Sequence, residues 1–347
     1  MLKTASIRFV CALVFLVGSS SAEEARRPRL REYDVLRSFP AGRLAELSRN
    51  DYPNADGLTG TNRAVGRWLE AGPQRGCCRG VIAAVVADDL AKADDAWRGI
   101  DLAFSHQRPD GGFEAEIRPN GKSARAFPDA VETAYFFLQE FGRMILVIRQ
   151  SPHEAHFHDR ISALEPKLRK ACAFLASGYD TIIAKSSKAV NRIIIAAKAF
   201  GTCGLVLGDE SLIAKSRKLI AHALTLRDSE GVFIEHGGRD SSYNVVSILF
   251  GQILALHVDL PEFEAALPKA VAWQLTRVKE NGEVEVAGNT RTGVGKEKSY
   301  SGEPKQVNYT EVIMALTLYG IVHDDKDASA AASRVLAYTK QPPSGPR

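Results

Sequence analysis

The chain has 347 residues, of which 45% are hydrophobic and 25% charged, and it carries a formal net charge of +4. These proportions are typical of a globular protein with a substantial core, and the length suits one large domain or two small ones. So small a positive charge argues against nucleic acid as the main partner.

The first 22 residues have the three parts of a secretory signal peptide. Lys3 and Arg8 supply a positive start, residues 9–17 are apolar, and small residues lead up to Ala22. The apolar run is too short to remain as a membrane-spanning helix. The sequence therefore predicts cleavage after Ala22 and one mature domain over 23–347, located in a periplasm or outside the cell and free of the membrane.

The cysteines that follow the signal are too few for a disulfide framework: Cys77, Cys78, Cys172 and Cys203. The last two can form a disulfide if their helices touch. The stable part of the fold must therefore come from a hydrophobic core.

Apolar residues recur every three or four positions through most of the remaining chain, which predicts helices. The segments are 60–70, 79–106, 128–150, 160–178, 188–206, 209–227, 241–257, 262–280, 306–321 and 326–340. Segment 79–106 is long enough for two helices. Short links between the segments favour antiparallel neighbours, so we expect an all-α protein.

A turn followed by a short extended piece recurs after three of these helices. Each copy has a polar turn with glycine, an apolar residue and then an acid, at 109–116, 228–235 and 280–286. Such a recurrence predicts repeated helical hairpins, and we favour a closed α/α toroid over an open superhelix. In a toroid the long loops would surround a cleft at one end, which would bring together Phe113, a candidate substrate contact, His236 and the 287–305 loop.

Three histidines lie close together in the sequence, at His153, His156 and His158. Zinc or copper binding is conceivable for such a group. The spacing differs from the helical zinc motif of metalloproteases, however, and we interpret the group as a polar connection between helices. No metal and no cofactor is predicted.

Asn191 stands at the start of an otherwise apolar helix. It is either a polar residue at a helix end or an amide placed to bind a carboxylate. His236 precedes two glycines, whose backbone freedom lets a substrate approach closely. A histidine at such a position can act as a general base near neutral pH, although it can also serve only to hold a turn.

Asp240 and Ser241 are good N-caps for the helix that follows the His236 loop. Tyr243 and Asn244 then fall in the first turn of that helix and face the loop. We take both, together with the neighbouring Arg239, as candidate substrate contacts. The alternative is a turn that merely joins two helices.

The stretch 288–302 is long, rich in glycine and basic. Arg291 can hold a carboxylate through a two-pronged hydrogen-bonded pair, and Lys298 adds positive charge for an anionic substrate. Tyr300 lies beside cations that favour its exchange of protons. A solvated surface loop is the alternative interpretation.

With Asn191, His236, Arg291 and Tyr300 in this order, the chain resembles the polysaccharide lyases of α/α-toroid type, the alginate and glucuronan lyases. The resemblance extends over about 60–340 in its layout of helical hairpins. Those enzymes use an Asn, a His, an Arg and a Tyr together. In this chain Tyr243 is the rival for the tyrosine role.

The resemblance implies β-elimination at a 4-linked uronate of an acidic polysaccharide, without a metal. Asn191 and Arg291 would neutralise the uronate carboxylate, a base would remove the C5 proton and an acid would protonate the departing O4. For glucuronate or mannuronate, Tyr300 could serve as both base and acid. For guluronate or iduronate, His236 as base and Tyr300 as acid fits better.

Two other classes of function remain open. A glycoside hydrolase on the same toroid would need a pair of carboxyl groups, for which the candidates are Asp110, Glu114, Glu116, Glu235 and Asp240. A non-catalytic carbohydrate-binding protein would hold the polymer without turnover.

Overall fold

The structure is a computed structural model that describes residues 30–298 and 302–341. The predicted signal peptide and Tyr300 lie outside these residues. The described chain forms α1 (Glu32–Arg37), α2 (Arg43–Leu47), α3 (Gly60–Val65), a 3-10 turn (Gly72–Gln74), α4 (Arg75–Val86), α5 (Leu90–Ser105), α6 (Phe127–Gln150), α7 (Glu154–Ser177), α8 (Tyr179–Ser186), α9 (Val190–Leu207), α10 (Glu210–Thr225), α11 (Ser241–Ala255), α12 (Pro261–Thr276), α13 (Tyr309–Val322) and α14 (Lys326–Thr339).

These helices form a ring of hairpins in two layers. The hairpin partners are α4 with α5, α6 with α7, α9 with α10, α11 with α12 and α13 with α14. The first helix of each pair also packs against the first helix of the next, so that α4, α6, α9, α11 and α13 make an inner layer. The predicted all-α toroid is therefore confirmed. The short helix α1 contacts α4, α6 and α13 and joins the two ends of the inner layer.

The two layers differ in sequence because they differ in burial. Nearly every residue of the inner helix α11 is buried, whereas the outer helix α10 buries one stripe. A helix surrounded by protein is apolar on all sides, whereas one at the surface is amphipathic. The inner helix α9 is long and apolar enough to cross a membrane, but 83% of its apolar window is buried inside the fold. Helix α9 is therefore a core helix of the fold.

The predicted helix segments agree with the observed helices apart from their ends. Segment 79–106 is two helices, α4 and α5, which meet at the N-cap Asp89, whose carboxylate accepts from the Lys92 amide. The short helices α1, α2 and α8 were not predicted. Each is eight residues or fewer, too short for a helical period to stand out from its surroundings.

The three predicted turns share one geometry. In each, an antiparallel bridge closes the turn, and a glycine with positive φ stands two residues before the second residue of the bridge: Gly111 (89°), Gly231 (86°) and Gly282 (88°). Each turn follows an outer helix and leads to the next inner helix. Outer-to-inner connections in such a ring all lie at the same end, which is the end that carries the cleft described below.

The four cysteines in the described part of the chain are buried free thiols. A hydrogen bond joins the thiols of Cys172 on α7 and Cys203 on α9 and, together with burial, raises the pKa of Cys172. The helices that carry them therefore touch, as a disulfide between them would require.

Candidate active site

A cleft of about 320 Å³ opens at the end of the ring where each outer helix is connected to the next inner helix. Arg75, Asn191, Tyr243 and Asn308 border it, and each stands in the first turn of an inner helix or at its N-cap. The amino ends of four inner helices therefore converge on the cleft. Helix amino ends carry partial positive charge and favour anions.

Among the described residues, Tyr243 on α11 is the tyrosine that lines this cleft. Its hydroxyl accepts a hydrogen bond from Lys305 Nζ at 3.0 Å. The guanidinium carbon of Arg291 lies 4.2 Å from the centre of its ring. Two cations that contact one phenol stabilise negative charge developing on its oxygen. The hydroxyl and the ring of Tyr243 are thus each contacted by a cation.

Arg291 is held by two carboxylates of the protein itself. Its Nη1 donates to Glu235 Oε1, while Nε and Nη2 donate to the two oxygens of Glu297 at 2.9 and 3.0 Å. Lys305 binds the same Glu297 at 2.5 Å. The two-pronged pair that the sequence predicts for a substrate carboxylate is therefore formed with Glu297, and Arg291 meets the cleft beside Tyr243.

The two glutamates on Arg291 differ in their proton affinity. Burial raises the pKa of Glu235 to about 7, even though the charge of Arg291 acts in the opposite direction. Burial also acts to raise the pKa of Glu297, but hydrogen bonds from Arg291 and Lys305 outweigh it and lower that pKa to about 2. Near neutral pH the site therefore holds one ionised carboxylate and one that exchanges its proton.

Asp240 organises the backbone around the site. Its carboxylate caps α11 by accepting from the amides of Ser242 and Tyr243. It also accepts from the amides of Arg291 and Thr292, both at 2.9 Å. The predicted N-cap thus also anchors the basic loop, which ties that loop to the helix bearing Tyr243. Being saturated with hydrogen bonds, Asp240 is a poor candidate for the acid of a hydrolase.

His236 lies at the edge of this cluster, with its side chain 44% exposed. Its φ of 52° is unusual for a residue other than glycine, and its amide donates to Lys188 O at 2.6 Å. Its Nδ1 is 3.6 Å from Glu297 Oε1. Burial, followed by the charge of Arg291, lowers the pKa of His236, so the ring is neutral and able to accept a proton at neutral pH.

Asn191 borders the cleft from α9 and is 5% exposed. Its Oδ1 is buried and has no hydrogen-bond partner in the described protein. A buried polar atom without a partner is costly to the fold. The unpaired acceptor lies in the wall of the cleft.

The other residues singled out in the sequence lie elsewhere. Arg239 pairs with Asp228 and Glu230 on the outer side of its loop, and Lys298 is exposed. Asn244 is fully buried, where its amide accepts from Phe233 N and donates to Gln274.

Phe113 is likewise fully buried, with its ring against Phe104 and Phe137. The turn that bears it lies at the cleft end of the ring, but the ring itself serves the hydrophobic core. Three parts of the chain were expected to meet around the cleft. Two of them, His236 and the basic loop, do lie together, because His236 contacts Glu297 of that loop.

Three functional candidates carry no distinctive signal in the sequence: Arg75, Glu297 and Lys305. Lys305 and Glu297 stand out only as charges in a basic loop, and their contact with each other becomes visible in the fold. Arg75 is separated from Tyr243 by 168 positions (243 − 75). Nothing in its neighbourhood in the sequence points to the cleft.

Two of the three histidines near residue 153 contact carboxylates. His153 Nε2 lies 2.8 Å from Asp88, and His156 Nε2 lies 2.9 Å from Asp94. Within 30–298 and 302–341, no group of three His, Cys, Asp or Glu side chains is placed to hold a metal ion.

No family model matches this sequence, and no curated protein does. Among solved structures, the chondroitin AC lyase of Streptomyces coelicolor A3 in complex with chondroitin sulphate is similar, at 12% identity and a TM-score of 0.50. The alignment covers 92% of this chain and 50% of that one. A tyrosine-to-alanine variant of the same enzyme aligns at 12% identity with a TM-score of 0.48, over 89% of this chain and 49% of that one.

The fold is therefore that of a helical polysaccharide lyase. This chain spans about half the length of that enzyme. At such low identity the likeness concerns the fold, so the activity has to be argued from the site.

Proposed function

We propose that the protein is a polysaccharide lyase that cleaves a 4-linked uronate polymer by β-elimination. The observation that carries the proposal is Tyr243, whose hydroxyl and ring are contacted by Lys305 and Arg291 in a cleft bordered by helix amino ends. Such a site stabilises a phenolate and attracts an acidic polymer. The fold is consistent with this chemistry.

In the proposed reaction Tyr243 acts as base and then as acid. Its phenolate takes the C5 proton, the electrons of that bond form the C4–C5 double bond, and the C4–O4 bond breaks. The phenol then returns the proton to O4, so that protons and electrons balance. Lys305 and Arg291 stabilise the phenolate, while the Asn191 amide donates to the uronate carboxylate and stabilises the charge that develops there.

This assignment suits glucuronate and mannuronate, in which the C5 proton and O4 lie on one face of the sugar. For guluronate or iduronate the base would stand on the opposite face, where neutral His236 is the candidate. Glucuronan or alginate remains the proposed substrate type, with chondroitin as a further polymer to test because the similar solved structure contains chondroitin sulphate. We also propose that residues 1–22 direct the protein out of the cytoplasm.

The test is ultraviolet absorbance of the protein mixed with polyglucuronate, alginate and chondroitin, because the unsaturated product absorbs and a hydrolysis product does not. Tyr243→Phe should lower kcat by about 10²–10⁴-fold, the range for a lost general acid–base group. Tyr179→Phe is the matched control, since that tyrosine also lies under a cation, with Lys215 Nζ 5.0 Å from its ring, but on α8 away from the cleft. Equal activity of Tyr243→Phe and the control would refute the role of Tyr243.

A glycoside hydrolase is the second candidate, and one observation favours it. Glu311 on α13 borders the cleft, and burial raises its pKa, as a general acid requires. Release of reducing ends without ultraviolet absorbance, abolished by Glu311→Gln, would identify this reaction instead. Binding without either product would indicate a carbohydrate-binding protein.

A further inference from the structure

Among the described residues, five cationic side chains line the cleft, and four of them are already paired with carboxylates. The pairs are Arg118 with Glu70, Arg192 with Glu132, Arg291 with Glu235 and Glu297, and Lys305 with Glu297. Each of these four cations therefore has a carboxylate partner within the protein. The fifth, Arg75, is different.

Arg75 is the first residue of α4 and is half-buried in the wall of the cleft. Within the described chain, no carboxylate oxygen lies within ion-pair distance (4.0 Å) of its guanidinium, and its Nη1 donates to Gly72 O at 3.1 Å. The guanidinium carbon lies 5.2 Å from the centre of the Phe136 ring. An arginine supported in this way keeps most of its donors free for a ligand.

Nearby charged groups act on Arg75 without a direct ion pair among the described residues. Burial, followed by the nearby charge of Arg79, lowers the pKa of Arg75. The charges of Glu311, Glu140 and Asp51 act in the opposite direction, and burial raises the pKa of Glu311. A half-buried positive charge without a carboxylate in direct contact is stabilised when an anion binds there.

A second observation in the same cleft points to a ligand. The buried Oδ1 of Asn191 has no partner, and it requires a hydrogen-bond donor. A saccharide offers both complements, a hydroxyl for Asn191 and an oxyanion for Arg75.

We propose that Arg75 is a specificity-determining residue that holds an oxyanion substituent of the saccharide bound in the cleft, a uronate carboxylate or a sulfate ester. This subsite is distinct from the cluster of Tyr243, Arg291 and Lys305. It rests on the proposed function to the extent that the ligand is an acidic saccharide. The guanidinium can grip either oxyanion with two parallel hydrogen bonds.

The test compares Arg75→Gln with Arg192→Gln as a matched control, since Arg192 borders the same cleft but is paired with Glu132 at 3.1 Å. Oligosaccharides of chondroitin sulphate, desulphated chondroitin and polyglucuronate are titrated by calorimetry. A charged hydrogen bond contributes roughly 1.5–3 kcal/mol, so Arg75→Gln should weaken binding by about 10–100-fold. Arg192→Gln should weaken it less, and in Arg75→Gln kcat should change less than KM.

The three polymers distinguish the two sources of the oxyanion. If the loss in Arg75→Gln disappears on desulphated chondroitin, the subsite takes a sulfate ester. If it persists on polyglucuronate, the subsite takes a carboxylate. Arg75→Lys, which keeps the charge but not the planar fork, should give a smaller loss and serves in place of Arg75→Gln if that variant does not fold.

Equal affinity of wild type and Arg75→Gln for all three polymers would overturn the inference, as would an equal loss in Arg192→Gln or no binding by the wild type. Binding that depends on Arg75, without any ultraviolet-absorbing product, would contradict the lyase proposal but support the subsite. The two proposals therefore fail in different experiments.

Discussion

At the scale of single residues, the site is a set of charged groups, each of which affects the protonation of its neighbours. Arg291 is shared between Glu235, which is 1% exposed, and the half-buried Glu297. The ring of Tyr243 lies against the same guanidinium. Because one cation serves all three groups, a change in the charge of either carboxylate alters the field at the tyrosine hydroxyl.

The raised pKa of Glu235 predicts a pH-dependent stability. A carboxyl group whose pKa is about 7 in the folded protein and about 4.5 when unfolded binds more protons in the folded state between these values. Its contribution to the free energy of unfolding is therefore full below pH 4.5 and falls as the pH rises to about 7. A change of this size corresponds to about 3 kcal/mol.

Glu235→Gln removes this titration. The stability of Glu235→Gln relative to wild type should rise between pH 5 and pH 7 and stay level above pH 8, as measured by urea unfolding at a series of pH values. Glu297→Gln is the control on the same arginine, because the pKa of Glu297 is about 2 and its titration lies below this window. A parallel pH dependence of Glu235→Gln and wild type would contradict the prediction.

At the scale of elements, the outer-to-inner turns are fixed by close backbone approach. Gly111 has a φ of 89°, and a Cβ built on it would lie 2.1 Å from the carbonyl oxygen of Lys170 on α7. Gly282 stands in the same relation to Arg334 on α14. The repeated turn therefore packs its glycine against the next outer helix, which sets where each loop begins at the cleft end of the ring.

Gly111→Ala should destabilise the protein by about 2–4 kcal/mol, from about 1–3 for the overlap and about 1 for the left-handed backbone. Gly121→Ala in the same connection is the control. Its φ is 77°, but nothing lies within 4 Å of the added carbon, so it should lose only about 1 kcal/mol. Thermal unfolding would measure both variants, and equal losses would show that the contact with Lys170 is unimportant.

At the scale of the whole molecule, the ring is joined through a buried ion network. Glu32 of α1 is fully buried and accepts from Arg143 Nε on α6 at 2.7 Å, while His257 Nε2, just after α11, lies 2.7 Å from its other oxygen. Arg143 also donates to Glu140 at 3.0 Å, which in turn binds Lys198 of α9 at 3.0 Å. The network thus connects α1 to three inner helices.

Removal of Glu32 should destabilise the whole ring. Glu32→Ala leaves Arg143 without one of its two carboxylates in the interior, so we expect a loss of about 3–5 kcal/mol in urea unfolding. Glu46→Ala is the control, since Glu46 on α2 pairs at 3.0 Å with Lys340, which is 56% exposed, and such surface pairs contribute less than about 1 kcal/mol. Similar stability of the two variants would contradict the role of the network.

The same network predicts the acid limit of the fold. Burial acts to raise the pKa of Glu32, but Arg143 and His257 outweigh it and lower that pKa to about 2. A lowered pKa gives a stability contribution that is present above about pH 4.5 and is lost as the pH falls towards 2. As the pH falls through this range, wild type should therefore lose more stability than Glu32→Gln does.

Much of the fold can be predicted from the sequence, because its evidence is local. Helical periodicity locates the ten predicted segments, and the recurring turns at 109–116, 228–235 and 280–286 indicate hairpins in a ring. The N-cap role of Asp240 also follows from its place before an apolar helix. The sequence does not predict helix α1, because its six residues are held by partners more than 100 positions away.

The candidate site is only partly predictable, because its residues meet across the ring. Asn191, Tyr243 and Arg291 border the cleft as their positions in the sequence suggest. The burial of Asn244 and Phe113 could not be read from the sequence, since a residue in a first helical turn or a loop can face either way.

By itself, the sequence determined the helices, their pairing into hairpins and the class of toroid, because periodicity and turn residues act over a few positions. Only the tertiary structure decided that Arg291 pairs with Glu235 and Glu297, that Lys305 reaches the Tyr243 hydroxyl, and that Arg75 has no carboxylate partner among the described residues. The physical reason is that charge pairing acts through distances in space, which are set when the inner helices close around the cleft.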